Sequence, residues 1–165
     1  MLGLNRRDEH PHHHHHHDVD ASGYDLRLDP AVARAPNPVV AVLGRPERIA
    51  GLPEHLPAGW SLRAARDLDD VRPGELVMVT HATTQDVVAA RAMLPRRARI
   101  VAVVDERAPA ELVTGVLTAG ADVCVRGGHP AILAGHLVAC RRRQLAERWA
   151  ALSATATGER ANRGP

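Results

Sequence analysis

RIVAVVDERAPAELVTGVLTAGADVCV, residues 99–125, reads as one strand–helix–strand unit. Arg99 to Val104 is a run of consecutive apolar, mostly β-branched positions after its first residue. That is the pattern of a strand buried on both faces. Pro109 to Ala119 is a helix, with proline in its first turn and Gly120 just past its end. Its pairs Leu112/Val113 and Val116/Leu117 recur at four-residue spacing, which gives one stripe to bury. Asp122 to Val125 is a second, shorter strand. A helical crossover between two such strands makes them parallel.

The same alternation extends towards the N-terminus. Val39 to Leu43 (VVAVL) is another continuous apolar run, broken by Gly44-Arg45-Pro46. Glu47 to His55 predicts a short helix, cut early by Pro53 and Pro57. Trp60 to Ala65 is a strand, less apolar and therefore nearer an edge. Asp67 to Val71 has room for one turn of helix before Pro73-Gly74. Glu75 to Thr80 (ELVMVT) is a further strand. Thr83, with Asp86 three residues on, predicts a capped helix that runs to Leu94 and stops at Pro95. Pro130 opens a last helix through about Trp149, with Ile132, Leu133, Leu137, Cys140 and Leu145 facing inward and His136 half-buried on its side. Five apolar strands alternating with helices predict an α/β fold: a five-stranded parallel sheet with helices on both faces. Right-handed crossovers leave few topologies, and the flavodoxin-like order 2-1-3-4-5 is the expectation.

The folded part is expected to span residues 37–150. Residues 1–36 are polar and read as a disordered arm, with His12, His13, His14, His15, His16 and His17 in an unbroken run. Such a run binds divalent metal only loosely, because it lacks fixed geometry. Residues 151–165 (ALSATATGERANRGP) read as a loose tail. Charge is uneven along the chain. Residues 1–30 carry three Arg against six acids, residues 31–125 eleven of each sign, and residues 126–165 seven Arg against two acids. The basic end centres on Arg141, Arg142, Arg143 and Arg148, which is either a footprint for an acidic partner or the solvated end of a helix.

Composition excludes several classes. No apolar run approaches the roughly 18 residues of a membrane span, and no apolar signal core opens the chain. All 21 basic residues are Arg, so Schiff-base chemistry and a P-loop lysine are ruled out. There is no G-x-G-x-x-G after the first strand, no G-x-S-x-G elbow and no spaced Cys/His set for zinc. Cys124 and Cys140 read as reduced core thiols of a cytoplasmic protein. No cofactor is implied, and an enzyme is not expected.

The segment Leu117-Thr118-Ala119-Gly120-Ala121-Asp122-Val123-Cys124-Val125-Arg126-Gly127 resembles the join between the fourth helix and fifth strand of bacterial response-regulator receiver domains. The resemblance implies a flavodoxin/CheY-like fold over residues 38–149, with chemistry at the C-terminal strand ends. Receiver domains carry magnesium-binding acids after the first strand and a phosphorylated aspartate after the third. A hydroxyl residue follows the fourth strand and a lysine the fifth. The matching positions here are Gly44 and Arg45, Thr80 and His81, Val104 and Asp105, and Arg126. All depart from the pattern. Magnesium needs several oxygen ligands and the phosphoryl transfer needs a carboxylate nucleophile. Arg45 would repel a cation about 4 Å away by roughly 4 kcal/mol at surface-like screening. Asp105 is expected to cap backbone or pair with Arg45 or Arg126, and His81 to hydrogen-bond backbone.

The expectation is therefore a stand-alone pseudo-receiver, active by protein–protein interaction in bacterial signalling or transcription control, independently of phosphorylation. By the same resemblance its docking face would comprise Leu112, Val116, Val123, Arg126 and the outer side of the last helix with Arg141, Arg142 and Arg143. That face would meet an acidic protein surface or a second copy of the chain. Two alternatives are a small anionic metabolite held by Arg45 and Arg126, and nucleic acid bound by the basic last helix.

Overall fold

The β-branched runs at Val39–Leu43 (β1), Ile100–Val104 (β4) and Val123–Arg126 (β5) are strands, as are Ser61–Ala65 (β2) and Leu76–Thr80 (β3), in a computed structural model that describes residues 37–161. All neighbouring strands are parallel, in the order β2-β1-β3-β4-β5. The expected topology is the one observed. β3 lies at the centre, and it and its neighbour β4 are buried along their whole length, whereas β2 lies at an edge and is partly exposed. The arm containing His12–His17 lies outside the described residues.

Three α-helices cover the sheet: α1 (Thr84–Met93), α2 (Ala110–Thr118) and α3 (Pro130–Ala161). Side-chain alternation along the strands feeds two cores. Val40, Val42, Met78, Val101 and Val103 pack with Leu133, Leu137 and Cys140 of α3. Val77, Val79, Ile100, Ala102 and Val104 pack with Val87 and Ala90 of α1 and Val116 of α2. The capping box predicted for α1 is present: Thr83 Oγ1 accepts from the Asp86 N–H, and Asp86 Oδ2 accepts from the Thr83 N–H at 2.9 Å. Gly120 ends α2 with φ +115, a region that only glycine enters freely.

The structure corrects three expectations. The stretch 47–55 is two 3-10 turns, Pro46–Ile49 and Leu52–His55, rather than a helix, because Pro53 interrupts the backbone donors that an α-helix needs. Ile49 and Leu52 still plug the core. The last helix does not stop at Trp149. It continues to Ala161, through an Ala-rich segment without proline that favours helix over a loose tail. Ile132 is exposed and Leu145 half-buried, so the inward stripe of α3 is narrower than read. No helix among the described residues is long and apolar enough to cross a membrane.

Two ionic networks brace the sheet. On β2, Arg63 grips Glu75 bidentately (Nε–Oε1 3.1 Å, Nη2–Oε2 2.6 Å) and also donates to the Asp70 carbonyl. Glu75 further accepts from the Arg72 N–H at 2.9 Å. This clamp fixes the β2–β3 connection, which contains only a three-residue 3-10 turn, Leu68–Asp70. At the other side, Asp122 accepts from Arg91 Nη2 (2.7 Å), Arg99 Nη1 (2.6 Å) and the Ile100 N–H (2.8 Å). Arg91 also donates to the carbonyls of Gly120 and Ala98, and Arg99 reaches Glu147 on α3. The Ala119-Gly120-Ala121-Asp122 segment thus owes its form to structure. Gly120 makes the turn and Asp122 joins α1, β4 and β5.

Candidate functional site

The C-terminal edge of the sheet gathers the loops after β1, β3, β4 and β5. Thr80, the last residue of β3, is buried. Its Oγ1 accepts from the Arg45 N–H at 2.7 Å and donates to the Leu43 carbonyl at 3.2 Å. Leu43 ends β1 and Arg45 lies in the loop leaving it, so the Thr80 hydroxyl staples β1 to β3. Gly44 makes the staple fit. It has φ +97, and a Cβ there would stand 2.4 Å from Thr80 Oγ1.

His81 follows in the left-handed region, with φ +54. Its Nδ1 lies 3.6 Å from Asp105 Oδ1, while its Nε2 is buried and has no hydrogen-bond partner. The predicted pairing of Asp105 with Arg45 or Arg126 is not observed, because the turned backbone at residue 81 brings the imidazole to Asp105 first. Thr80, His81, Val104 and Asp105 do meet, around a cavity of about 90 Å3. Arg48, from the first 3-10 turn, lines it too, together with Glu106 and Gly127. Arg48 escaped the sequence reading because it belongs to a segment assigned to a helix. Neither Arg45 nor Arg126 lines this cavity, and Gly44 faces a separate groove. A cavity of this size is well below the roughly 300 Å3 that encloses a metabolite.

The donor set does not fit the magnesium that a receiver resemblance implies. Asp105 and Glu106 are the carboxylates lining the cavity, whereas magnesium requires near-octahedral oxygen coordination. Among the described residues no group of three or more His, Cys, Asp or Glu side chains is placed to hold a metal ion. No carboxylate ends β1 or β3. His81, Asp105 and Arg48 bring hydrogen-bonding groups to this edge.

Two residues of the predicted docking face are not at the surface. Val116 is 0 % and Val123 8 % exposed, so both belong to the core rather than to an interface. They occupy the inward faces of α2 and β5, where the sheet needs apolar cover. Leu112 is half-buried. Arg126, Arg142 and Arg143 are exposed, but α3 separates them: twelve residues from Pro130 to Arg142 span about 18 Å of helix. Arg141 is half-buried, donating to the Gly74 carbonyl at 3.3 Å and to Gln144 at 2.6 Å. Burial pushes the thiols of Cys124 and Cys140 up, and both are free cysteines.

No protein-family model matches the chain, and no curated protein matches it. Among solved structures, it is similar to the crystal structure of the signal receiver domain of an HD domain-containing protein from Pseudomonas fluorescens Pf-5. The TM-score is 0.57 at 15% identity, over 70% of this chain and 94% of that one. The likeness establishes a receiver-like fold.

Proposed function

We propose that this chain is a cytoplasmic receiver-like regulatory domain that works without phosphorylation, by binding another protein. The observation that carries the reading is Thr80. It ends the strand where the resemblance puts an acceptor aspartate, and its hydroxyl is already committed to Leu43 and Arg45. A threonine so placed forms no acyl phosphate, and the staple it makes ties the end of β1 and the start of its loop to β3. The domain is then a fixed binding surface rather than a switch or an enzyme.

The exposed Arg142 and Arg143 on α3 favour an acidic partner surface. Affinity capture from the native cell, with Arg142 and Arg143 unchanged or both replaced by Glu, tests this reading. A partner retained by the unchanged chain and lost by the Arg142→Glu/Arg143→Glu variant supports it. An identical set of bound proteins from both refutes it.

A further inference from the structure

Each face of a parallel sheet needs a covering layer. In this chain the β2–β3 connection supplies one 3-10 turn, Leu68–Asp70, where a crossover helix would lie. The sheet face beside α1 is correspondingly hollow. Two hollows of about 430 Å3 each share Leu68, Asp69 and Met93 and run the length of α1. One begins at Gly44 and Thr80, on the C-terminal edge of the sheet, and the other ends at Gly74 and Pro95, on the opposite edge. Leu43, Leu68 and Val71 are half-buried along the groove, and Met93 is 55 % exposed.

We propose that this groove docks an amphipathic helix from a partner protein, lying parallel to α1. Its length suits that occupant: α1, with ten residues, is about 15 Å long. Its charge sets the direction. At the C-terminal edge Asp67 and Asp86 outnumber Arg66, and Asp69 lies midway. At the other end stand Arg72 and Arg97, where the charge of Glu75 is already taken by Arg63. A helix macrodipole is positive at its N-terminus, so the bound helix points its N-terminus at Asp67 and Asp86 and its C-terminus at Arg72 and Arg97. That is the direction of a crossover helix leaving β2 for β3, so the partner completes the missing layer. The proposal rests on the reading of the domain as a binding module, but uses a surface apart from Arg142 and Arg143.

The test uses a neutral synthetic helix of about 14 residues with blocked ends. It carries Leu at i, i+3, i+4 and i+7, Gln and Ala elsewhere, and a fluorophore on its polar face. Anisotropy at low salt is expected to show saturable binding to the full chain. Met93→Glu, which puts a charge on the exposed apolar wall shared by both hollows, is expected to weaken it at least about tenfold. Asp67→Asn with Asp69→Asn keeps the local cap and is expected to weaken binding roughly threefold. Arg142→Glu/Arg143→Glu is expected to leave it unchanged, so loss of the α3 surface and loss of the groove are read separately. Thermal melts confirm that each variant is folded. The absence of saturable binding, or binding that Met93→Glu leaves intact, overturns the proposal. So does a wild-type dimer that Met93→Glu dissociates, which would assign the groove to a second copy.

Discussion

Replacing Asp122 by Asn tests the claim that the Ala119–Asp122 segment is a structural clamp. The carboxylate is 11 % exposed and neutralises two guanidinium groups, Arg91 at 2.7 Å and Arg99 at 2.6 Å. Asparagine keeps the size and one acceptor oxygen but leaves the half-buried Arg91 without a counter-charge and Arg99 with Glu147 alone. Breaking a buried pair by removing one partner costs about 3–5 kcal/mol. Arg91 remains hydrogen-bonded to the carbonyls of Gly120 and Ala98, and Arg99 still reaches Glu147. The lower end, about 3 kcal/mol, is therefore expected. For a domain of this size that is a fall in Tm of roughly 10 °C. Urea unfolding followed by circular dichroism measures the free energy, and a thermal scan measures Tm. Arg99→Met alone should cost less, because Asp122 keeps Arg91. In the double variant the two losses should fall short of additivity, since both remove the same contact. A cost below about 1 kcal/mol for Asp122→Asn, or simple additivity with Arg99→Met, refutes the clamp.

Other perturbations follow from the same contacts. Burial works to raise the carboxyl of Glu75, but the hydrogen bonds from Arg63 and the Arg72 N–H outweigh it and hold it below its usual value of 4.5. The Arg66 N–H leads in holding Asp70 low as well. A carboxylate whose folded pKa is depressed adds stability above its unfolded pKa and loses it as pH falls through the folded one. Tm should thus be level from neutrality to about pH 5 and drop below about pH 4.5, with a smaller drop in Glu75→Gln; an unchanged acid profile in that variant contradicts the assignment. Gly44→Ala forces a Cβ to 2.4 Å from Thr80 Oγ1 at φ +97, and a loss of about 2 kcal/mol in urea unfolding is expected, where no loss would show that the β1 loop is not stapled. Cys140 is fully buried with its thiol pushed up, so a thiol reagent should modify it only at the rate of unfolding, and fast native labelling would refute that packing.

Topology was legible because it depends on apolar periodicity and turn chemistry, which are local. Val39–Leu43, Ile100–Val104 and the Thr83/Asp86 cap each appear where the pattern placed them. The short crossovers were less so, since the apolar content of residues 47–55 fits a helix and Pro53 decides otherwise. The candidate site was legible in membership only. Thr80, His81 and Asp105 meet, but their pairing depends on His81 turning to φ +54, which a non-glycine residue does not advertise. Val116 and Val123 were misplaced because a resemblance marks an element as a docking face without saying which side points out. The Asp122 clamp joins Arg91 and Arg99 from distant positions, and only tertiary structure brings these together.

Phosphorylation independence is read from intact-protein mass after incubation with acetyl phosphate and magnesium, for the wild type and for Thr80→Asp. Neither is expected to gain a phosphoryl group: the first lacks an acceptor carboxylate, and the second, with Gly44 and Arg45 after β1, still lacks ligands for the ion. A stoichiometric phosphoryl adduct on the wild type at any residue would contradict it.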